Sequence, residues 1–511
     1  MIFLAEHAPA FAIAVPLLAA FVTPVLGRIS EKIRNIWVIF SLLFTEFLVF
    51  ILGCKVLDEG VYTYALGAVT PSLTSPVGFP VRIILETDAM NALISFMVLS
   101  IAIITVVYSW KFIEKYEAQD RFYSLLLLLT AGMMGMSFTG DFFTMFVFLE
   151  VVSVSSAALV AFFKKAESFE AAFKYLAISS IGSFFMLFGI GLLYGHYGLL
   201  NMAVIAKEII LHYSFLDVVA LSLLGTALLL KLGSVPIHMW KVDSLQEAPA
   251  PVSVVCIATS LVGLYLLFRI GFSVFGLVIN SILGWILVFF GILSIFIGVA
   301  MALLQNNLKR LLGYSAVAEV GYILLGAGVG LSAMPEVNGF AFEALSGGIF
   351  HIVNDVLDIS LLFLIAGSIY YITKKRNIDE LGGLAHDFPS LSVLFIIGML
   401  AISGIPPFNG FASKLMIYES VFYFNPLLVI LGVLGSILML AVFVKVFACI
   451  FLGAPYEGEV EEVPGSMMFT MWVLAFFILF LGLFPQVAID IFIAPAAEAL
   501  VHPEVYIGGV L

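Results

Sequence analysis

Fourteen stretches of this chain are apolar over enough residues to cross the roughly 30 Å of hydrocarbon in a bilayer, and this restricts the fold more than any other feature. They fall near 4–27, 34–56, 87–110, 121–139, 141–163, 172–197, 215–243, 251–270, 281–303, 309–330, 341–372, 390–423, 425–452 and 467–494. A segment in lipid must satisfy its own backbone polar groups, and long apolar segments do so as helices. The expectation is an all-α polytopic membrane protein of about fourteen transmembrane helices. With 63% of its 511 residues hydrophobic and 11% charged, the chain lies outside the soluble globular class. The first span carries Glu6 and His7 where a signal peptide would be basic and shows no clear small-residue cleavage site, so it is read as retained. Between the second and third spans, residues 57–86 hold Pro71, Pro76 and Pro80 beside a Val/Thr/Tyr-rich run, which predicts a small extramembrane hairpin.

Orientation follows from the basic residues. The loops after the odd-numbered spans hold Arg28, Lys32, Arg34, Lys111, Lys115, Arg121, Lys164, Lys165, Lys241, Lys309, Arg310, Lys374, Lys375 and Arg376, fourteen in all. The other side holds four: Lys55, Arg82, Lys207 and Arg269. This imbalance predicts odd loops in the cytoplasm and both termini outside a cell membrane. The thirteenth loop runs against the trend locally, with Glu457, Glu459, Glu461 and Glu462. A net charge of −12 argues against nucleic acid as a partner. Cys54, Cys256 and Cys449 lie far apart in apolar segments and suggest neither disulfides nor a metal site.

Four of the 22 basic residues fall within spans: Lys174, Lys231, Lys414 and Lys445. Lys174 and Lys445 lie near span ends and are expected to snorkel. Lys231 and Lys414 lie deeper, where ionisable groups mark ion or proton pathways unless they form structural ion pairs. Each lies beside a helix-breaking motif. Gly233 and Pro236 interrupt the seventh span in KLGSVPIHMW, and Gly404, Pro406 and Pro407 interrupt the twelfth in SGIPPFNGFASK. A freed backbone at membrane depth is tolerated where protein or water covers it.

The breaks recur at a fixed offset. Pro236 and Pro406 are 170 residues apart, and Glu150 and Glu319 are 169 apart. Two agreeing offsets imply a duplication in which spans 4–8 match spans 9–13. Because five is odd, the two units must have opposite topology, and inverted repeats with a broken helix at matching positions point to a secondary-transporter architecture. The chain then divides into residues 1–120 with the hairpin, a first repeat over 121–270, a second over 281–452, and a final span and tail over 467–511.

The stretches DFFTMFVFLE, KLGSVPIHMW with EAPAPVS, LKRLLGYSAVAEVGYILLG and SGIPPFNGFASK resemble those of the antiporter-like subunits shared by respiratory complex I, Mrp-type cation/proton antiporters and energy-converting membrane-bound hydrogenases. The resemblance covers roughly residues 80–450. It implies that Glu150 is the carboxylate of the fifth span, Lys231 its partner on the seventh, and Lys414 the lysine of an exit half-channel on the twelfth. In the family these residues form a water-linked chain of titratable groups across the membrane midplane, and the resemblance implies the same here. His238 matches the histidine of the VPxHxW run and is either a proton relay or a packing residue. Asp243 and Glu247 either gate water entry or are solvated.

The residues give that scheme a physical basis. The proton affinity of Lys231 depends on how close Glu150 sits, so an ion pair that opens and closes would let the amine release a proton sideways and take one up again. Several positions depart from the family pattern. Leu261, four residues before Tyr265, stands where relatives carry a lysine. Asn354, Asp355 and Ile359 stand where asparagine, histidine and lysine are usual, and Glu319 replaces a histidine or glutamine. In their place the eleventh span presents His351, Asp355 and Asp358 at i, i+4 and i+7, on one helical face. Oxygen ligands suit hard cations, so this trio is read as either a proton relay of altered charge type or a sodium point near Asp355 and Asp358, the alternative being bonds to backbone or to a neighbouring subunit.

The chain carries no P-loop, dinucleotide fingerprint, iron–sulfur cysteine cluster or haem motif, and is read as having no cofactor and performing neither redox chemistry nor ATP hydrolysis. It stops soon after the fourteenth span without the long lateral helix of the largest antiporter-like subunit of complex I, which makes it more similar to the D-type component of Mrp antiporters and its hydrogenase counterpart. The expected function is proton and/or sodium translocation within a complex of other membrane subunits in the lipid bilayer. That complex is expected to be a membrane-bound hydrogenase or related oxidoreductase with redox subunits, the alternative being a Mrp-type Na+/H+ antiporter without redox chemistry. An organic-solute transporter would need a roomy midplane pocket, whereas the polar groups here form a lateral row. A scaffold without transport is the other competing class.

Overall fold

The structure, a computed structural model, describes residues 2–66, 83–334, 339–456, 458 and 461–510. The helices are α1 (Ile2–Ile29), α2 (Glu31–Glu59), α3 (Ala89–Phe112), α4 (Gln119–Phe138), α5 (Phe142–Val160), α6 (Ala166–Tyr197), α7 (Met202–His212), α8 (Phe215–Leu232), α9 (Met239–Glu247), α10 (Ala250–Phe268), α11 (Asn280–Leu303), α12 (Leu308–Ser332), α13 (Gly339–Thr373), α14 (Pro389–Ile402), α15 (Asn409–Phe424), α16 (Pro426–Phe451), α17 (Gly465–Leu483), α18 (Pro485–Ala488), α19 (Ala494–Val501) and α20 (Pro503–Val510). Thirteen are long and apolar enough to cross a membrane. Helix α14, at 14 residues, is apolar but shorter, so the described residues hold thirteen such helices where the sequence predicts about fourteen spans, the difference falling at the broken twelfth.

Short polar side chains start the helices by occupying orphan backbone N–H groups. Asp88 accepts from Asn91 N at 3.0 Å ahead of α3, and Asp141 accepts from Thr144 N at 2.6 Å ahead of α5. Asn307 does the same for α12 through Arg310 N at 3.1 Å. Helices α12 and α13 are enclosed along almost their whole spans, whereas α1 and α16 show most of their surface outward. Small residues set how closely α11 approaches α12. A Cβ added at Gly321 would meet the Gly291 carbonyl at 2.5 Å, and one at Gly291 would meet that of Gly321 at 2.8 Å. This close packing holds Glu319, two residues away, deep in the protein.

As the interrupting glycines and prolines predict, the seventh span is split into α8 and α9 and the twelfth into α14 and α15. The structure differs from the sequence-based spans in two places. Helix α7, short and lying between the sixth and seventh spans, was not anticipated. The last span stops at Leu483, because Pro485 restarts the chain in a new short helix. The hairpin is present in its described stems: Tyr62–Ala65 (β1) pairs antiparallel with Ile84–Thr87 (β2). Pro71, Pro76, Pro80 and Arg82 lie outside the described residues.

Sidedness is visible in the contacts. On one face the hairpin gathers both chain ends: the Tyr62 hydroxyl donates to the Glu6 carbonyl at 2.9 Å, and Tyr506 of α20 donates to Glu86 Oε2 at 2.5 Å. On the opposite face, ion pairs tie the odd-numbered loops together. Arg34 meets Asp120 at 2.7 Å, Lys115 and Lys374 share Glu461 at 2.6 and 3.4 Å, and Arg376 meets Glu247 at 2.9 Å. The acidic thirteenth loop therefore complements its basic neighbours through Glu461. Glu457 and Glu459 lie outside the described residues.

Candidate functional site

The first half of the site lies at the end of α8. Lys231 is in the last turn of that helix, its stem packed against Gly182 of α6, and its side chain is 11% exposed. Its Nζ donates to Ser153 Oγ and Ser179 Oγ, both at 2.9 Å, and lies 3.6 Å from Glu150 Oε1. Ser183 donates to the same carboxylate oxygen. Serines at 179 and 183, one helical turn apart on α6, thus face the amine and the carboxylate that α8 and α5 supply.

The second half is drier. Lys414 of α15 lies 3.1 Å from Glu319 Oε1, with both side chains at most 2% exposed, and 4.2 Å above the ring of Tyr322. His351 bridges α12 and α15: Nε2 is 3.0 Å from Glu319 Oε2, and Nδ1 is 2.9 Å from Ser413 Oγ. Asn354 donates to the Asn409 carbonyl and to Ser413 Oγ, each at 2.9 Å. Asp355 and Asp358 are buried on the same face of α13, and the Oδ1 atom of each is without a partner among the described residues. The described residues contain no group of three or more His, Cys, Asp or Glu side chains placed to hold a metal ion.

The two helix breaks are built alike. Gly233 and Gly404 adopt φ of +68° and +72°, a left-handed conformation that favours glycine. An amine from the second half of each broken helix then reaches back to a carbonyl at the end of the first. Lys241 Nζ donates to the Leu232 carbonyl at 2.9 Å, and Lys414 Nζ to the Ile402 carbonyl at 2.8 Å. Carbonyls at a helix C-terminus lack intrahelical partners and carry partial negative charge, so an ammonium suits them. Lys414 thus has its geometric counterpart in Lys241, whereas Lys231 lies ahead of its break.

Beside the first break, His238 caps α9, packs edge-on against Tyr314 at 5.9 Å, and has both ring nitrogens unpartnered among the described residues. Asp243 pairs with Lys174 at 3.0 Å and Arg310 at 2.8 Å. With Glu167, Glu170 and Glu247 these residues line a polar cleft of about 240 Å³. At the second break a cavity of about 190 Å³ is lined by Ser403, Gly404, Lys414, Tyr418 and Ser436 among others. Lys445, expected to snorkel, is exposed and donates to the Leu303 carbonyl at 3.3 Å.

Residues 139–439, spanning both breaks and every one of these buried groups, match the family model for the NADH:quinone oxidoreductase/Mrp antiporter transmembrane region. The chain belongs to this family. It is 28% identical over 525 residues to the A-type component of the Na(+)/H(+) antiporter of Alkalihalophilus pseudofirmus, covering 97% of this chain and 63% of the relative. The A1-type component of the Na(+)/H(+) antiporter of Staphylococcus aureus is also 28% identical, over 516 residues, 96% of this chain and 63% of the relative. The chain therefore spans less than two thirds of the length of these curated relatives, which are of the A type, whereas its length had suggested the D type.

Solved structures share the fold. A chain of the Mrp complex from Dietzia sp. superposes with a TM-score of 0.88 at 25% identity, covering 99% of both chains. A chain of the membrane-bound sulfane sulfur reductase, an archaeal respiratory membrane complex, gives 0.87 at 28% identity, covering 98% of this chain and 99% of that one. Respiratory complex I from Thermus thermophilus shares the fold, with a TM-score of 0.74 at 21% identity over 94% of this chain and 98% of that one.

Against this family background, the structure brings Glu150 to Lys231, and gathers Glu319, His351 and Lys414 in direct contact with Asp355 and Asp358 nearby. His238 stays apart from both groups. Sequence reasoning missed the serines and misplaced Lys241. Counted as a loop residue for the orientation argument, Lys241 is only 4% exposed, because the break turns its helix back into the protein. The orientation count then becomes thirteen against four, with its sense unchanged. The order glycine, proline, amine, shared by 233–241 and 404–414, was the available signal.

Proposed function

We propose that the chain is an ion-translocating, antiporter-like subunit of a multisubunit membrane complex. The observation that carries this reading is the pair of amine–carboxylate contacts within the spans, each beside a broken helix: Lys231–Glu150 at 3.6 Å, whose carboxylate is part-exposed, and the fully buried Lys414–Glu319 at 3.1 Å. A lysine held by neutral hydroxyls at 2.9 Å and a carboxylate at 3.6 Å has two alternative sets of partners within one side-chain movement. Changing between them changes its proton affinity. Protons enter from the polar cleft at Asp243, pass along the midplane through the buried groups, and leave by the cavity at Lys414.

The parent complex is read as redox-driven, with neighbouring subunits supplying the energy, on the likeness to the sulfane sulfur reductase. A gradient-driven Na+/H+ antiporter is the second reading, favoured by the curated relatives. On this reading the basic odd loops lie in the cytoplasm and both termini outside, as the excess of Lys and Arg in those loops supports. Replacing Lys231 by Ala in the native complex tests the central reading: proton movement into sealed vesicles is lost while assembly persists. Normal transport by the assembled variant would instead identify a scaffold. Mass spectrometry of the proteins that co-purify from gently solubilised membranes separates the parents, since iron–sulfur or nickel–iron proteins accompany only the redox-driven one.

A further inference from the structure

A buried amine beside the first break belongs to neither amine–carboxylate pair. Lys241 Nζ donates to the Leu232 carbonyl at 2.9 Å and to Ser260 Oγ of α10 at 3.0 Å, both neutral oxygens. An ammonium has three donors, so one N–H is left over. Helix α10, which carries Ser260, packs directly against α13, which carries Asp355, and Asp355 Oδ1 is a buried acceptor without a partner among the described residues; its carboxylate also contributes to the electrostatic surroundings of the amine. Asp355 in turn lies in the field of Glu319 and Lys414. A water-linked connection needs a spare donor at one end and a spare acceptor at the other, and these two buried groups supply them.

The position fits that role. Helix α9 packs against α5 and α6 of the first five-helix set and against α12 of the second, so Lys241 stands where the two sets meet. Its construction matches that of Lys414: a Cβ added at Gly233 would meet Lys241 Cδ at 2.6 Å, and one at Gly404 would meet Lys414 Cδ at 2.9 Å. The difference lies in the second partner, which is the Glu319 carboxylate for Lys414 and the Ser260 hydroxyl for Lys241. Proton exchange at Lys241 therefore breaks no contact ion pair.

We propose that Lys241 is the proton-exchanging group that joins the two halves of the pathway. A proton arriving from the Lys231 side is taken up by the free amine. In the onward step an N–H bond of the ammonium breaks, its electron pair stays on nitrogen, and an O–H bond forms on Asp355; no other reactant is consumed. The inference rests on the translocation reading above. Its rival is that Lys241 merely fastens the broken helix by capping the Leu232 carbonyl.

Three variants in the intact membrane complex separate the two: Lys241→Met, which keeps the stem without a proton; Lys241→Arg, which keeps donors and charge but does not deprotonate; and Lys241→Met with Leu261→Lys, which returns an amine beside Ser260. Assembly is followed on native gels and proton uptake by a pH-sensitive dye in sealed vesicles. A relay loses about a hundredfold in rate with Met and with Arg in assembled complexes, a loss typical of removing a proton-transfer group, and the double variant recovers part of it. Transport within about twofold of wild type for assembled Lys241→Met, or recovery with Arg, overturns the proposal. Where Lys241→Met fails to assemble, Arg and the double variant decide by the same criteria. Lys231→Met is run alongside. If it transports normally, the translocation reading itself falls; if it is inactive while Lys241→Met is active, only the present inference falls.

Discussion

The Lys414 ammonium lies 3.1 Å from the Glu319 carboxylate and 2.8 Å from the Ile402 carbonyl, so a single side chain pairs a buried charge and closes a broken helix. Removing one member of such a buried pair strands the other and costs about 3–5 kcal/mol. Lys414→Met and Glu319→Gln should each lower the thermal midpoint of the solubilised complex, and the double variant should recover part of the loss. A double-mutant cycle measures the coupling; additive losses would show that the two charges are independent.

The left-handed glycines at the breaks have no room for a side chain. In Gly233→Ala or Gly404→Ala the new methyl meets the Lys241 or Lys414 stem at 2.6 or 2.9 Å, in a conformation that costs a non-glycine residue about 1–2 kcal/mol. Each variant should lose about that much stability, with transport falling further because the amine is displaced. Stability unchanged by differential scanning fluorimetry would count against the strain argument.

Arg269 and Asp88 form a buried pair, 3% and 4% exposed, that ties the end of α10 to the start of α3. Asp88 also caps α3 through Asn91 N at 3.0 Å. Asp88→Ala therefore removes a cap and strands a guanidinium, for a loss of about 3–5 kcal/mol. Asn in the same position keeps the cap and should retain more stability. Equal losses for the two variants would rule out a role for the cap.

Burial on the hairpin pushes the Glu86 carboxyl up from 4.5 to about 7, against the hydrogen bonds from Tyr506 and Asn201 and the Arg269 charge that pull it down. The docked state thus holds a proton that the opened state sheds, and its contribution is full below about 4.5 and lost as pH rises to about 7. Amide-exchange protection of α20, normalised for intrinsic rates, should fall over that window. Glu86→Gln should flatten the dependence, and a steeper fall in the variant would contradict the assignment.

Asp355 and Asp358 share the buried face of α13, each with one unpartnered oxygen among the described residues. The double variant Asp355→Ala, Asp358→Ala should reduce proton transport by about a hundredfold if they relay protons. A sodium point would instead show as loss of sodium dependence, read by varying Na+ at fixed pH. Unchanged transport with unchanged ion dependence would remove both readings.

Much of the candidate site was proposed from sequence because burying charge in a membrane is so costly that the exceptions stand out. Glu150, Lys231 and Lys414 could be chosen on that ground alone, and the repeat offset placed Glu319 among them. The serines were not legible, since a hydroxyl in an apolar helix usually bonds its own backbone four residues back. Ser153 and Ser183 do make such bonds, and also serve Lys231 and Glu150. Lys241 was misread for a related reason: a helix break was taken as the start of a loop, and the return of the chain into the protein left no local mark.

The sequence by itself determined the polytopic all-α class and the two breaks, because hydropathy, glycine and proline act locally. Only the tertiary structure decided which partners each buried charge has. Contact between α5, α6 and α8, or between α12, α13 and α15, depends on the packing of helices distant in sequence. Whether an amine faces a carboxylate, a hydroxyl or a carbonyl is settled there, at distances of about three ångströms that no spacing along the chain encodes.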